Sequence, residues 1–434
     1  MFYLSWFDMS KLINFVLIWI VFSETPAQTM PPKFEGQAAI TEKVDTRNRA
    51  VIPQWKGQQT LGNITFDNDF EGARLNGITQ NNDTLYTAII AAENYPINPS
   101  PWYAFKITAQ KPSTIWVHLT YLTAKHRYFP KISNDGKSWK IIDSTDCRLV
   151  KDSEVKNRTF QENSLSESAY VRIKVGEKPT WIAAQELMTS NIVNDWSNSL
   201  LKNTFVSSEI IGKTIQNRSI NCLRICENKS DAKIMIVIGR LHPPEVTGQF
   251  ALQTFVETIC EKSETAKKFR DNYTVYVVPM MNPDGVDNGH WRHNNGGIDL
   301  NRDWADFNQP ETQFVRDFLR KKLIDPQNKL YFGIDFHSTW DDIFYTNIIE
   351  KPTNMEGLIK QWFVAMEQAI PDYKVNARGS KPASGVISKA FFNREFNAEA
   401  LVYEVGDNTS RDFTSLKSKI AAEKLMLLAL EYLK

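Results

Sequence analysis

The chain reads as an all-β sandwich followed by a mixed α/β domain whose largely parallel sheet carries helices on both faces. Three observations predict this. Up to about residue 178 the sequence consists of short alternating stretches separated by turn clusters. Beyond it, apolar runs of strand length alternate with longer helical patterns. The length, 434 residues at 42% hydrophobic content, exceeds the usual size of one folding unit. A formal net charge of +1 removes the electrostatic case for a nucleic-acid partner, which needs a strongly basic domain or stripe. The expected partner is a peptide or a small molecule.

At the N-terminus, Lys11 precedes an apolar run from Leu12 to Phe22, broken only by Asn14. Thr25-Pro26-Ala27 then supplies the small residues a signal peptidase needs. Residues 1–27 are therefore expected to be an export signal, too short to span a membrane. The expected location is periplasmic or secreted, with no membrane association once the signal is removed. The chain has four cysteines. On an alternating strand Cys222-Leu223-Arg224-Ile225-Cys226 the two thiols would sit ~13 Å apart, too far to pair.

Residues 28–178 are expected to form the sandwich. Tyr103, Phe105 and Ile107 alternate with polar or smaller neighbours, as do Ile115, Val117 and Leu119, and Val171, Ile173 and Val175. Clusters such as Asn98-Pro99-Ser100-Pro101 and Ser133-Asn134-Asp135-Gly136 supply turns. No constellation of catalytic residue types stands out there, and His118 and His126 read as structural or surface residues.

Residues 179–434 form the expected α/β domain. Strand candidates are Ile234–Ile238, Tyr273–Met281, Leu330–Phe336 and Leu401–Val405. Helix candidates are Val246–Glu261, Glu311–Lys322, Gly357–Ile370 and Thr414–Leu433, the last with Leu416, Ile420, Leu427 and Tyr432 spaced for one broad apolar face.

Ligands of open α/β sheets bind at the carboxyl ends of the strands. His242-Pro243-Pro244-Glu245 falls just beyond the first strand candidate, and His337 closes the third. Two histidines and a glutamate would leave a fourth position of one zinc ion open, the pattern of a catalytic site. Glu404, near the end of the last strand, can take a proton from the attacking water. A His-x-x-Glu pair alone arises by chance in many proteins. Here three strand ends of one domain carry the residue types that a hydrolytic zinc site needs, which a chance pair would not supply.

A further stretch, Gly289-His290-Trp291-Arg292-His293-Asn294-Asn295-Gly296-Gly297-Ile298-Asp299-Leu300-Asn301-Arg302-Asp303-Trp304, follows Asn282-Pro283-Asp284-Gly285. With these motifs the chain resembles the zinc carboxypeptidase family. The resemblance implies His242, Glu245 and His337 as metal ligands, and Arg292 as the group that polarises the scissile carbonyl. It also implies Asn301 and Arg302 as the clamp on the substrate's terminal carboxylate, Glu404 as the catalytic base, and Asp299 as the residue orienting His242. Physical chemistry agrees: a guanidinium fork matches a carboxylate, and Arg292 would face the developing oxyanion. His290 and His293 have no ligand role in the family pattern and read as rim or structural residues. Upstream, Asn94-Tyr95-Pro96 and Trp102-Tyr103-Ala104-Phe105 look similar to the sandwich of the cytosolic carboxypeptidase branch, whose members commonly remove acidic residues from protein C-termini.

In the family that the chain resembles, specificity depends on residues upstream of the catalytic glutamate; by that resemblance, counting back from Glu404 implies Lys389 near the floor of the side-chain pocket, where a cation would favour a terminal Asp or Glu. The expected function is zinc-dependent removal of C-terminal residues, acidic ones among them, from peptides or proteins. Two other readings are an exported amidase or carboxypeptidase acting on cell-wall peptides, and an inert binding protein that would lack a ligand or the glutamate base.

Overall fold

A computed structural model describes residues 43–150, 168–227, 232–382 and 385–433. The expected export signal lies outside the described residues. The first part contains β1 (Gln58–Leu61), β2 (Ile64–Asp67), β3 (Gly77–Asn82), β4 (Leu85–Ile90), β5 (Ala104–Ala109), β6 (Ser113–Tyr121), β7 (Lys131–Ser133), β8 (Lys140–Ile141), β9 (Cys147–Val150), β10 (Ser168–Val175) and β11 (Thr180–Ala183). They form two sheets, ordered β1-β2-β5-β11-β7-β8 and β3-β4-β6-β10-β9. Neighbours run antiparallel except β4 and β6. The alternation puts one face of each sheet inward: Phe66, Phe105 and Ile107 from one meet Tyr86, Val117, Leu119 and Val171 from the other in a shared core.

The expected boundary at 178 needs correction. β11 begins at Thr180 and pairs with β5 and β7, so the sandwich ends at Ala183. Pro179 looks like a break in the sequence, but a proline directly before a strand costs no hydrogen bond of the ladder.

The second part contains α1 (Ser190–Leu200), β12 (Val206–Lys213), β13 (Ser219–Ile225), β14 (Lys233–Gly239), α2 (Val246–Ile259), α3 (Glu264–Asn272), β15 (Thr274–Val278), α4 (Pro283–Asp287), α5 (Pro310–Lys322), β16 (Lys329–Thr339), β17 (Ile343–Asn347), α6 (Leu358–Ala369), β18 (Ala377–Ser380), α7 (Ser388–Phe396), β19 (Glu399–Gly406) and α8 (Arg411–Glu431). One eight-stranded sheet runs β12-β13-β15-β14-β16-β19-β17-β18. Its central neighbours β15, β14, β16 and β19 are parallel, so their carboxyl ends share one edge. These strands are rich in β-branched residues and buried on both faces, as a covered parallel sheet requires. Met235, Val237, Phe332, Ile334 and Leu401 pack under α2, α3, α6 and α8. Ile234, Ile236, Ile238, Leu330 and Ala400 pack under α5 and α7.

The apolar face expected for α8 is a second correction. Leu416, Leu427 and Tyr432 are 49%, 43% and 38% exposed, whereas Ala421, Ala422, Leu425, Met426 and Ala429 are buried. Small side chains let α8 lie close against α2 and α6, and the buried Lys417 on the same face is neutralised by Asp342 at 2.6 Å. The two parts are not separate bodies. Val246, Met280, Val286 and Trp291 of the second part complete the core of the sandwich, and both parts fall within one compact unit. Cys222 lies in β13 and Cys226 just after it; both are buried and neither is in a disulfide.

Candidate metal centre

β14 delivers the first two site residues. It ends at Gly239, and Arg240 adopts a left-handed backbone conformation (φ 56°), which a non-glycine residue holds only at some cost. Arg240 Nε donates to the carbonyl of Pro243 at 2.9 Å and stabilises the turn. Pro243 and Pro244 restrict the backbone between the two candidate ligands, and Glu245 stands at the start of α2. Its carboxylate does not cap the helix but turns toward the histidines, at the positive end of the helix dipole.

β16 delivers His337. Glu245 Oε1 lies 2.7 Å from His242 Nδ1, Oε2 lies 2.7 Å from His337 Nδ1, and the two Nδ1 atoms are 3.1 Å apart. All three residues are buried. Burial alone would raise the Glu245 pKa; the charges and hydrogen bonds of His242 and His337 overcome it and hold the carboxyl well below its ordinary range. Ser338 ties this strand to the helix that follows Glu245: its Oγ accepts the backbone N–H of Gly248 at 2.8 Å and the hydroxyl of Thr247 at 2.7 Å. Only glycine fits at 248, because a β-carbon there would collide with the carbonyl of His337.

Glu404, Asp299, Arg292 and Arg302 connect to this trio; Lys389 meets none of its residues in a hydrogen bond. Glu404 is paired in register with His337 across β16 and β19. Burial and the Glu245 charge push its pKa up to about 8, against His337, Arg292 and Arg127. Asp299 is shared. Its Oδ1 lies 2.9 Å from His242 Nε2, while its Oδ2 accepts Nε of Arg292 at 2.8 Å and lies 3.9 Å from Nη1 of Arg302. Burial works to raise the Asp299 pKa, and Arg292, His242 and Arg302 drive it far down. Arg302 and His293 line a cleft of about 100 Å³ with Thr46, Arg49 and Pro96 of the first part. Asn301 Oδ1 accepts the N–H of Ser388 at 3.4 Å, which joins the two candidate clamp residues to α7. Next on α7, Lys389 is 1% exposed, and its ammonium meets two neutral oxygens, Asn347 Oδ1 at 3.0 Å and Ser380 Oγ at 2.8 Å. Burial lowers its pKa to about 8. His290 Nδ1 faces the carbonyl of His293, and His293 Nδ1 faces Asn94, so neither points at the trio through that nitrogen.

Residues 194–431 match the zinc carboxypeptidase family. The chain belongs to that family. It is 25% identical over 329 residues to cytosolic carboxypeptidase 6 of Mus musculus, a match covering 69% of this chain and 58% of that protein. To the protein of the same name in Caenorhabditis elegans it is 24% identical over 294 residues, covering 64% and 62%. The matches thus span about three fifths of the length of these relatives. A metallo-carboxypeptidase from Burkholderia cenocepacia has the same fold, with a TM-score of 0.69 at 15% identity over 85% of this chain and 100% of that one. That share exceeds what the α/β part alone can supply, so the likeness of fold takes in the sandwich.

Zinc is the family's cofactor, and the donor set here fits it. Each histidine turns Nε2 to a carboxylate, His242 to Asp299 at 2.9 Å and His337 to Asp335 at 3.0 Å. Those acceptors favour the proton on Nε2 and leave both Nδ1 lone pairs facing the Glu245 oxygens. Ligand atoms of the three residues lie within 4.8 Å of one another. Two lone pairs and a carboxylate converging with a position to spare is an arrangement that a divalent cation satisfies.

Three contributors escaped the sequence reading. Asp335 stands two residues before His337, on the same face of its strand, a spacing readable from the sequence. Arg127 comes from the sandwich; its Nε donates to Asp407, three residues past Glu404, at 2.7 Å, and Nη1 donates to Ser100 at 2.6 Å. Arg240 makes the turn before His242. Neither arginine belongs to a local pattern that would single it out.

Proposed function

We propose that this protein is a zinc-dependent exopeptidase that removes residues from the C-termini of peptides or proteins. The observation that carries the reading is the linkage made by Asp299: one carboxylate joins a candidate metal ligand, the candidate oxyanion arginine and the candidate end-binding arginine. When bound to His242, Glu245 and His337, zinc supplies a Lewis acid that polarises the substrate carbonyl and makes water a stronger acid.

The chain's own residues do the rest. Glu404 accepts a proton from the attacking water and hands it to the leaving amine. Arg292, held through Nε by Asp299, offers its remaining N–H groups to the oxyanion. Arg302, with Asn301 beside it, receives the terminal carboxylate, which makes the chain end the recognised feature.

Two finer readings are part of the proposal. The first is a preference for terminal Glu or Asp, supported by Lys389, a buried cation whose hydrogen-bond partners Asn347 and Ser380 are both neutral. The second is export, which rests on Lys11, the Leu12–Phe22 run and the small residues Thr25-Pro26-Ala27. Digestion of a peptide library read by mass spectrometry, with zinc and after chelation, tests the function. Zinc-dependent loss of single residues from C-termini, fastest for Glu and Asp, is the expected result; internal cleavage or no cleavage defeats the reading.

A further inference from the structure

The loop that carries Arg292 is held from outside its own sheet. Glu93 lies a few residues past β4 of the sandwich and is 0% exposed. Its Oε2 accepts the backbone N–H of Trp291 at 2.7 Å, and its Oε1 accepts those of Arg292 at 3.0 Å and His293 at 2.7 Å. Neighbouring residues of the first part close around the same loop. Asn94 Nδ2 donates to the carbonyl of Gly297 at 3.0 Å, Arg74 Nε donates to the carbonyl of Gly289, and the backbone N–H of Arg49 donates to that of Gly296 at 2.8 Å.

A fully buried carboxylate is costly unless its lone pairs are met by donors and its charge by cations. Here both conditions hold. Burial works to raise the Glu93 pKa; Arg74 and the backbone N–H groups oppose it and keep the carboxyl an anion, whereas His290 and His293, whose own pKa values burial lowers, add no charge at neutral pH. Three successive N–H groups converging on one anion fix the backbone of residues 291–293, and with it the base of the Arg292 side chain, whose far end is already held by Asp299.

We propose that Glu93 is a positioning residue of the hydrolytic site: by gathering the amides of Trp291, Arg292 and His293, it makes the β-sandwich part of the machinery that aims Arg292 at the oxyanion. This rests on the peptidase reading for its consequence, but not for the clamp itself. Displacement of the 291–293 backbone moves Arg292 off its target. Misplacement on the order of 1 Å costs roughly 100-fold in rate.

The test combines amide hydrogen exchange of segment 289–297 with steady-state kinetics on a C-terminal peptide substrate and zinc analysis. Glu93→Gln keeps the shape but sets an amide against three N–H donors. Glu93→Asp keeps the charge and withdraws it by one methylene, and it carries the test if the first variant does not fold. The expected results are faster exchange at 291–293, kcat lowered by roughly 10- to 100-fold with KM nearly unchanged, and retained zinc. In an Arg292→Ala background the Glu93 change should lower kcat no further, since both act through one group. Unchanged exchange, or equal losses in both backgrounds, overturns the proposal. If the parent protein cleaves no peptide while Glu93→Gln speeds exchange, the peptidase reading falls and the clamp stands; if exchange is also unchanged, both fall.

Discussion

Replacing Lys389 by Met removes a buried cation while keeping an unbranched side chain of similar length, and its effect can be worked out from the structure. The Lys389 ammonium sits among neutral oxygens, and burial lowers its pKa from the ordinary 10.5 to about 8. The folded protein therefore sheds this proton near pH 8, whereas the unfolded chain keeps it to about 10.5. Between those limits the unfolded chain binds more protons, so stability rises with pH by about 1.4 kcal/mol per unit, or about 3 kcal/mol across the window. Below pH 8 both states are charged and the whole penalty is present. The variant lacks this contribution. Denaturant unfolding of both proteins from pH 7.5 to 10.5 should show the parent gaining on the variant by about 3 kcal/mol. The comparison cancels the other titrating groups and the fixed loss of the bonds to Asn347 and Ser380. Parallel curves would refute the reasoning and show that Lys389 is not a penalised cation.

Other expectations follow from the same geometry. Glu404→Gln should retain zinc yet lose peptidase turnover, because the amide cannot carry a proton to the leaving amine; turnover near the parent rate removes Glu404 from the mechanism. Arg302→Lys replaces a two-pronged donor by a single point, and a loss of about 1.5 to 3 kcal/mol predicts KM for C-terminal peptides higher by roughly 10- to 100-fold, read by initial rates. An unchanged KM would assign the carboxylate clamp elsewhere. Gly248→Ala drives a methyl group into the His337 carbonyl and should lower stability by about 1 to 3 kcal/mol and weaken zinc retention together, measured by melting and by metal analysis after dialysis; full retention of both would show that α2 can retreat without disturbing the site.

Much of the site was legible because its residues lie at predictable places. His242 follows β14, His337 ends the central part of β16, and Glu404 lies near the end of β19, so parallel pairing brings strand ends together whatever the detail of the packing. The strand candidates of the second part needed only an adjustment of their ends. What escaped the sequence depended on partners far along the chain. β11 falls within the range expected for the α/β domain until β5 and β7 pair with it. The apolar stripe of α8 is misread because large hydrophobic residues dominate a periodicity argument, while the buried stripe contains Ala421, Ala422 and Ala429 beside Lys417. Glu93 and Arg127 carry no motif. Their roles come from contacts with Arg292 and Asp407, and no local pattern in a sandwich lacking catalytic constellations points to those contacts.

The central claim, that a zinc site here acts on chain ends, is tested most directly by one pair of peptides of identical sequence, one with a free C-terminal carboxylate and the other amidated. Mass spectrometry with zinc present should show the free peptide shortened by one residue at a time and the amidated peptide intact, with both intact after chelation. Equal cleavage of the two peptides, or shortening that survives removal of the metal, would contradict the account.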